Sequence, residues 1–255
     1  MAQVVVALTT PFREDGSVDR DALGRHAGWL VDQGVDALMP CGTTGEGPLL
    51  EPDEVDEVVL GCVDAADGRA AVLAHIGRPA TAATVELARR ALAAGAQGVS
   101  AVVPYYYALS DAEVVEHYRR LLAAANGSAV YAYTIPARTG NELSVEAVRT
   151  LGADGLRGVK DSTKSWERHL EYLETGVDVL TGTDAFVVES LRAGSAGCVS
   201  ALANVWPDLL GRARDGEDVQ GEISALRERT PFPRLKDAIA GVVPGYPTSY
   251  RAPLA

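Results

Sequence analysis

Leu156-Arg157-Gly158-Val159-Lys160-Asp161-Ser162-Thr163 reads as a short strand running into turn-formers, with an amphipathic stretch starting near Trp166. Alternation sets Gly158, Lys160 and Ser162 on one face and Val159 with Asp161 on the other. If the Gly158 face looks into a packed interior, the Lys160 ammonium loses hydration. Desolvation disfavours its charged form, and the free amine can condense with a carbonyl compound to a Schiff base. The alternative is a lysine whose stem lies along apolar surface while its head reaches solvent.

The same beat of β-branched run, turn and amphipathic stretch recurs along the chain. It predicts strands at Val4–Thr10, Ala37–Gly42, Ala71–Ile76, Gly98–Pro104, Ala129–Ile135, Leu156–Asp161, Val177–Gly182 and Gly197–Ala201. Helical patterns fall between them at 20–34, 51–67, 81–95, 110–126, 144–153, 165–175, 184–194 and 206–214. Ser110 with Glu113 has capping-box spacing, and Ser144 precedes Val145 as a helix start. Gly34, Gly68, Gly95, Gly127, Gly176 and Gly194 stand where left-handed caps end helices. Alternating strands and helices imply parallel pairing through right-handed crossovers. Eight such units closing on themselves give a (β/α)8 TIM barrel, with a doubly wound open sheet as the rival. The expected division is a barrel over 1–215 and a C-terminal helical extension over 216–255, with short helices at 221–229 and 233–243 packed on the barrel.

A chain of 255 residues, 47% apolar, is ordinary for a single barrel and can bury a sizeable core. A formal charge of −12 argues against nucleic acid or an anionic membrane as partner, so an anionic substrate must be drawn by local groups. Cys41, Cys62 and Cys198 are odd in number and lack CxxC spacing, which suits reduced thiols and a cytoplasmic location. The opening MAQVVVALTTPF lacks the basic region and long apolar run of a secretory signal, and no run of about 18 apolar residues marks a membrane span.

In a barrel, chemistry belongs at the C-terminal ends of the strands. After the second strand come Cys41-Gly42-Thr43-Thr44-Gly45-Glu46-Gly47, whose glycines allow a tight turn with backbone N–H groups facing a small carboxylate; an ordinary Gly-rich turn is the plainer reading. The GK[ST] ending of a phosphate-binding loop is missing. Pro104-Tyr105-Tyr106-Tyr107 follows the fourth strand, where stacked tyrosines commonly pack or meet partners. Tyr133 ends the fifth, and Arg138 follows in a turn stiffened by Pro136 and closed near Gly140, a fork able to grip a carboxylate with two bonds. The seventh strand ends in Gly182-Thr183-Asp184, and the eighth passes through Cys198-Val199-Ser200. His26, His75, His117 and His169 lack metal-ligand spacing, and although His75 and Cys41 can lie close, no carboxylate joins them, so no metal is expected. No GxGxxG follows a strand, and no cofactor is implied.

Together these strand ends resemble the dihydrodipicolinate synthase and N-acetylneuraminate lyase family of pyruvate-dependent class I aldolases. The resemblance runs through ALTTPFREDGSVD (7–19), GTTGEG (42–47), PYYY (104–107), YTIPARTG (133–140), GVKDS (158–162), TGTDA (181–185) and ANVWP (203–207). It implies a Schiff-base lyase in which Lys160 holds pyruvate as imine and enamine, and Tyr133 moves protons. It implies that Thr44 links Tyr133 to Tyr106 reaching in from a neighbouring subunit of a homodimer or homotetramer. Thr43 and Thr44 would bind the pyruvate carboxylate, and the backbone carbonyls of Gly182 and Val199 would face the lysine. Arg138 stands where the synthases grip the carboxylate of aspartate semialdehyde, and GTTG is their form of the loop. The reaction implied is condensation of pyruvate with that aldehyde.

Other segments lean elsewhere. AHIG (74–77) and VSAVVPYYYALS (99–110) are more similar to the lyases; GTTGEGP (42–48), KDSTKSWERHLEY (160–172) and GYPTSYRAPL (245–254) resemble archaeal ketodeoxygluconate aldolases. A 2-keto-3-deoxy sugar acid aldolase or an N-acetylneuraminate lyase-like enzyme is therefore the alternative, and a silent keto-acid-binding relative a further one. Two departures from the family stand out. The chain is shorter than the family pattern, chiefly in its C-terminal helices. Arg78-Pro79-Ala80-Thr81-Ala82-Ala83 also replaces the asparagine and glutamate that lysine-inhibited synthases carry after the third strand, so free lysine is not expected to inhibit.

Overall fold

The computed structural model describes residues 2–254; Met1 and Ala255, the outer ends of the two expected units, lie outside them. The strands are β1 (Gln3–Ala7), β2 (Ala37–Met39), β3 (Ala71–His75), β4 (Gly98–Val102), β5 (Ala129–Thr134), β6 (Gly158–Asp161), β7 (Asp178–Thr181) and β8 (Gly197–Ser200). Each pairs in parallel with the next, and β8 returns to pair with β1, closing the barrel. Closure rules out the open sheet. Crossovers are α1 (Arg20–Asp32), α2 (Pro52–Ala66), α3 (Thr81–Ala93), α4 (Asp111–Ala125), α5 (Pro136–Thr139), α6 (Val145–Ala153), α7 (Trp166–Leu173) and α8 (Val187–Arg192). Beyond β8 come α9 (Pro207–Arg214), α10 (Gln220–Arg229) and α11 (Leu235–Ala240).

Two apolar layers hold this together. Val5, Met39, Leu73, Tyr131, Leu180 and Val199 fill the barrel interior. A much larger layer lies between sheet and helices, where Val6, Leu38, Val72, Val130 and Val159 meet Leu30, Val58, Leu87, Leu121 and Leu151. The period-two alternation of each strand serves both. Helix starts and stops follow the sequence: Ser110 and Glu113 form the capping box of α4, Ser144 caps α6, and the six expected glycines all have φ between 70° and 101°.

The expected strands overrun the ladders at the barrel mouth. Thr9 and Thr10, expected in β1, instead bond loop groups: the Thr9 N–H donates to Asn204 Oδ1 (3.2 Å), and Thr10 Oγ1 donates to the Gly45 carbonyl (2.7 Å). The helix expected over 184–194 opens with a 3-10 turn, Asp184–Phe186, because Ser200 donates to the Asp184 carboxylate (2.7 Å) and Gln220 to its carbonyl (2.8 Å). The one-turn helix α5 was not expected, and it carries Arg138.

Candidate active site

Lys160 sits in β6 facing the barrel interior and is only 6% exposed. The glycine at 182 makes room for it: a Cβ there would lie 2.2 Å from Ser162 Oγ and 3.3 Å from Lys160 Cε. The strand register sets Tyr133 of β5 beside it. Lys160 Nζ rests 4.1 Å from the centre of the Tyr133 ring and 3.9 Å from Met39 Sδ, with no carboxylate in salt-bridge range among the described residues. A cation on a ring face is held weakly, and thioether sulfur is a poor acceptor. The amine is thus buried, oriented and unpaired.

The outward face of the same strand is tied down. Asp161 Oδ2 meets His169 Nδ1 of α7 at 2.8 Å, and His169 Nε2 lies 2.9 Å from Ser195 Oγ and 2.8 Å from Ser190 Oγ. Asp161 Oδ1 accepts from the Thr163 N–H (2.8 Å) and hydroxyl (2.7 Å). The order Asp–His–Ser is that of a nucleophilic triad, but Asp161, His169 and Ser190 are fully buried away from the mouth. Its role is to fix the end of β6, and with it Lys160.

Tyr133 is 3% exposed, and its hydroxyl lies 3.5 Å from Thr43 Oγ1. The hydroxyl beside Tyr133 is therefore Thr43's; Thr44, expected to make that link, has no side-chain hydrogen bond among the described residues. The loop turns so tightly that a Cβ at Gly47 would sit 1.7 Å from the Cys41 carbonyl oxygen. His75, noted in the sequence only as a metal candidate, stands edge-on to the Tyr133 ring at 5.7 Å. Burial, then the charges of Lys160 and Arg78, push its pKa down to about 3, so it packs as a neutral ring. Cys41, Cys62 and Cys198 are free and buried, and burial pushes the Cys41 and Cys198 thiols up to about 12.

Val199 faces the barrel interior below the mouth. Arg138 projects from α5, exposed and outside every ion pair of the described residues, into a cavity of about 280 Å³ that also touches Thr43 and Tyr105. Pro136 opens that helix and Gly140 closes it at φ 71°. Tyr106 lies away from this cluster, 85% exposed with φ 84°, its ring against Tyr107.

A buried unpaired amine beside a phenol at the C-terminal mouth of a barrel suits imine chemistry with a carbonyl substrate. The family model for the Dihydrodipicolinate synthetase family matches residues 1–217. The chain belongs to that family. It is 41% identical over 244 residues to an uncharacterized DapA-like lyase of Halobacterium salinarum, covering 90% of this chain and 80% of that one. Dihydrodipicolinate synthase from Aquifex aeolicus superposes with a TM-score of 0.89 at 32% identity, covering 100% of this chain and 92% of that one. A prophage protein of the family from E. coli K12, solved in complex with pyruvate, gives 0.91 at 26% identity, covering 99% and 92%. The chain is accordingly a lyase of the class I aldolase kind built on a TIM barrel. No helix among the described residues is long and apolar enough to cross a membrane.

Proposed function

We propose that this dihydrodipicolinate synthetase family member condenses pyruvate with aspartate semialdehyde through a Schiff base on Lys160. The observation that carries the reading is the Lys160 amine, buried without a carboxylate partner and laid against the Tyr133 ring. The amine attacks the C2 carbonyl of pyruvate, and loss of water gives an imine. Loss of a C3 proton converts the imine to an enamine, whose C3 forms the new bond to the aldehyde carbon. The aldehyde oxygen takes up a proton, and addition of water to the imine carbon then breaks its bond to the Lys160 nitrogen, releasing product and the free amine. Tyr133 carries protons at these steps, with Thr43 Oγ1 as the neighbouring hydroxyl. Thr43 and Thr44 hold the pyruvate carboxylate, with the Gly182 and Val199 carbonyls facing the lysine. Arg138 grips the carboxylate of the semialdehyde; its guanidinium has no carboxylate of its own to satisfy, which favours this reading over a neutral sugar aldehyde.

Tyr106 and Tyr107 are 85% and 71% exposed, large aromatic surface for a monomer to leave in water. We propose that a second copy covers them in a homodimer or homotetramer, with Tyr106 entering the partner's site. A strictly monomeric active enzyme would leave Tyr106 outside the chemistry.

The primary test is incubation with pyruvate and borohydride followed by intact-mass measurement. One pyruvyl adduct is expected, absent from Lys160→Ala; an unmodified wild-type protein sinks the proposal. With the adduct established, Arg138→Ala should lower kcat/KM for aspartate semialdehyde on the order of a hundredfold and for glyceraldehyde far less. Equal losses would remove the synthase assignment and favour the sugar-acid aldolase.

A further inference from the structure

The C-terminal segment takes part in the mouth of the barrel, which its sequence did not suggest. Arg251 is its anchor. Its guanidinium makes two bonds to the Glu54 carboxylate of α2, both 2.7 Å, donates to the Leu49 carbonyl (2.8 Å), and lies 4.4 Å from the centre of the Phe12 ring. Its backbone N–H donates to Glu46 Oε2 (2.8 Å). The other Glu46 oxygen takes the Lys236 ammonium of α11 (2.6 Å), which also donates to the Ser249 carbonyl (2.8 Å). Glu46 belongs to the loop that carries Thr43 and Thr44, and holds a left-handed φ of 57°. The segment is thus fixed to the very loop that meets Tyr133.

Held there, Pro253 and Leu254 complete the cavity into which Arg138 projects. The remaining wall is largely apolar, from Leu49, Val102 and Ile135. Its polar groups are mostly engaged. Both Glu46 oxygens are taken, and Thr139 Oγ1 donates to the Asn141 carbonyl (2.7 Å) and lies 3.1 Å from that of Ile135. Thr43 Oγ1 faces Tyr133. What is left for an acceptor is one guanidinium, the Tyr105 phenol and apolar surface.

We infer that Pro253 and Leu254 are specificity-determining residues of the acceptor site, which disfavour a polyhydroxylated acceptor against one that meets Arg138 with a carboxylate. The inference rests on the pyruvate reading above. A carboxylate meets Arg138 while methylenes lie on Leu254 and Ile135. A polyol would give up water for a wall with few partners, and sites that leave hydroxyls unpaired reject them.

The test compares Leu254→Asp and Leu254→Asn with wild type, using succinic semialdehyde, aspartate semialdehyde and glyceraldehyde as acceptors. Leu254 is 51% exposed, so both variants should fold, which a melting curve checks. The Asp variant places a carboxylate in the cavity that Arg138 lines and should lower kcat/KM for both semialdehydes at least about tenfold, with glyceraldehyde within about twofold. The Asn variant should shift the ratio toward glyceraldehyde by roughly tenfold. Unchanged ratios, or equal losses for all three acceptors, overturn the inference. Absence of a borohydride-trapped pyruvyl adduct in wild type would instead overturn the Schiff-base reading, so the two failures are separable.

Discussion

Two lysines are buried in this molecule, and their surroundings differ in one respect. Lys236 is fully buried, and the Glu46 carboxylate stands 2.6 Å from its Nζ, with the rings of Tyr250 and Phe12 at 4.4 and 4.6 Å. Lys160 is also buried against an aromatic ring, at 4.1 Å, but finds sulfur at 3.9 Å where Lys236 finds a carboxylate. Burial lowers the Lys236 pKa from its ordinary value although the Glu46 carboxylate opposes the shift, and that carboxylate occupies its ammonium. Lys160 has no such counter-charge, which supports its proposed role as the group that meets a ketone. The proposed nucleophile thus differs from Lys236 in lacking a carboxylate partner, not in being buried.

The largest test of this contrast is to remove each lysine. Lys160→Ala should abolish both turnover and the pyruvyl adduct, since the bond to the substrate has no other donor. Its fold should survive, because no ion pair is broken. Lys236→Met should do the reverse: the protein keeps an adduct-competent Lys160 but loses about 3–5 kcal/mol of stability, because the buried Glu46 carboxylate loses its cation and keeps only the Arg251 N–H. Adding Glu46→Gln to Lys236→Met should restore part of that loss. Chemical denaturation reads the stability and intact mass the adduct. If Lys236→Met proved as stable as wild type, the pair would not be the structural lock argued here.

Smaller than the loss of the amine is the loss of the phenol. Tyr133→Phe keeps the ring under Lys160 and the edge contact with His75, and removes only the hydroxyl 3.5 Å from Thr43. A drop in kcat of about 10²–10⁴ is expected, with adduct formation on prolonged incubation with pyruvate retained. A variant of wild-type rate would confine Tyr133 to packing.

Much of the fold was legible because repetition amplifies a weak signal. Eight strand-turn-helix units, punctuated by left-handed glycines such as Gly34 and Gly194, left few topologies to choose from. The inward face of Lys160 followed from alternation around Val159, which packs under the helices. What escaped was contact between distant segments. Glu46 and Lys236 lie 190 positions apart, and nothing in GTTGEG or in PRLKDA reveals that they touch. The sequence spacing of His169 speaks only against a metal ligand set and does not reveal that it is the buried partner of Asp161. Which of two adjacent threonines reaches Tyr133 depends on the turn of one loop, and it is Thr43.

Three histidines extend the comparison, since each is buried with a ring nitrogen that has no partner: His26 Nδ1, His75 Nδ1 and His117 Nε2. Burial pushes their pKa values down to about 4, 3 and 4. The ordinary value is about 6.5, so the unfolded chain binds more protons than the folded one as pH falls below it. Stability should therefore be full above about pH 7 and decline steadily toward pH 4. At pH 5 each histidine contributes about 2 kcal/mol of that decline. Urea midpoints at pH 7 and pH 5 measure it, and His117→Gln should flatten the slope by roughly one histidine's share. A midpoint independent of pH over this range would contradict the neutral, buried rings.

The smallest expected effect is the absence of one. By the resemblance, lysine-inhibited synthases carry an asparagine and a glutamate after the third strand. Here Arg78 occupies that region, its guanidinium donating to the Gly77 carbonyl at 3.1 Å and the Leu50 carbonyl at 3.2 Å. A fixed cation there repels a second one and offers no acceptor to replace the lost carboxylate. Millimolar free lysine should leave the initial rate and the pyruvate KM unchanged. Clear inhibition would show that a regulatory pocket survives with other residues. It would also show that a cation can be bound beside Arg78, against the reading that a charge in this fold needs a partner to be held.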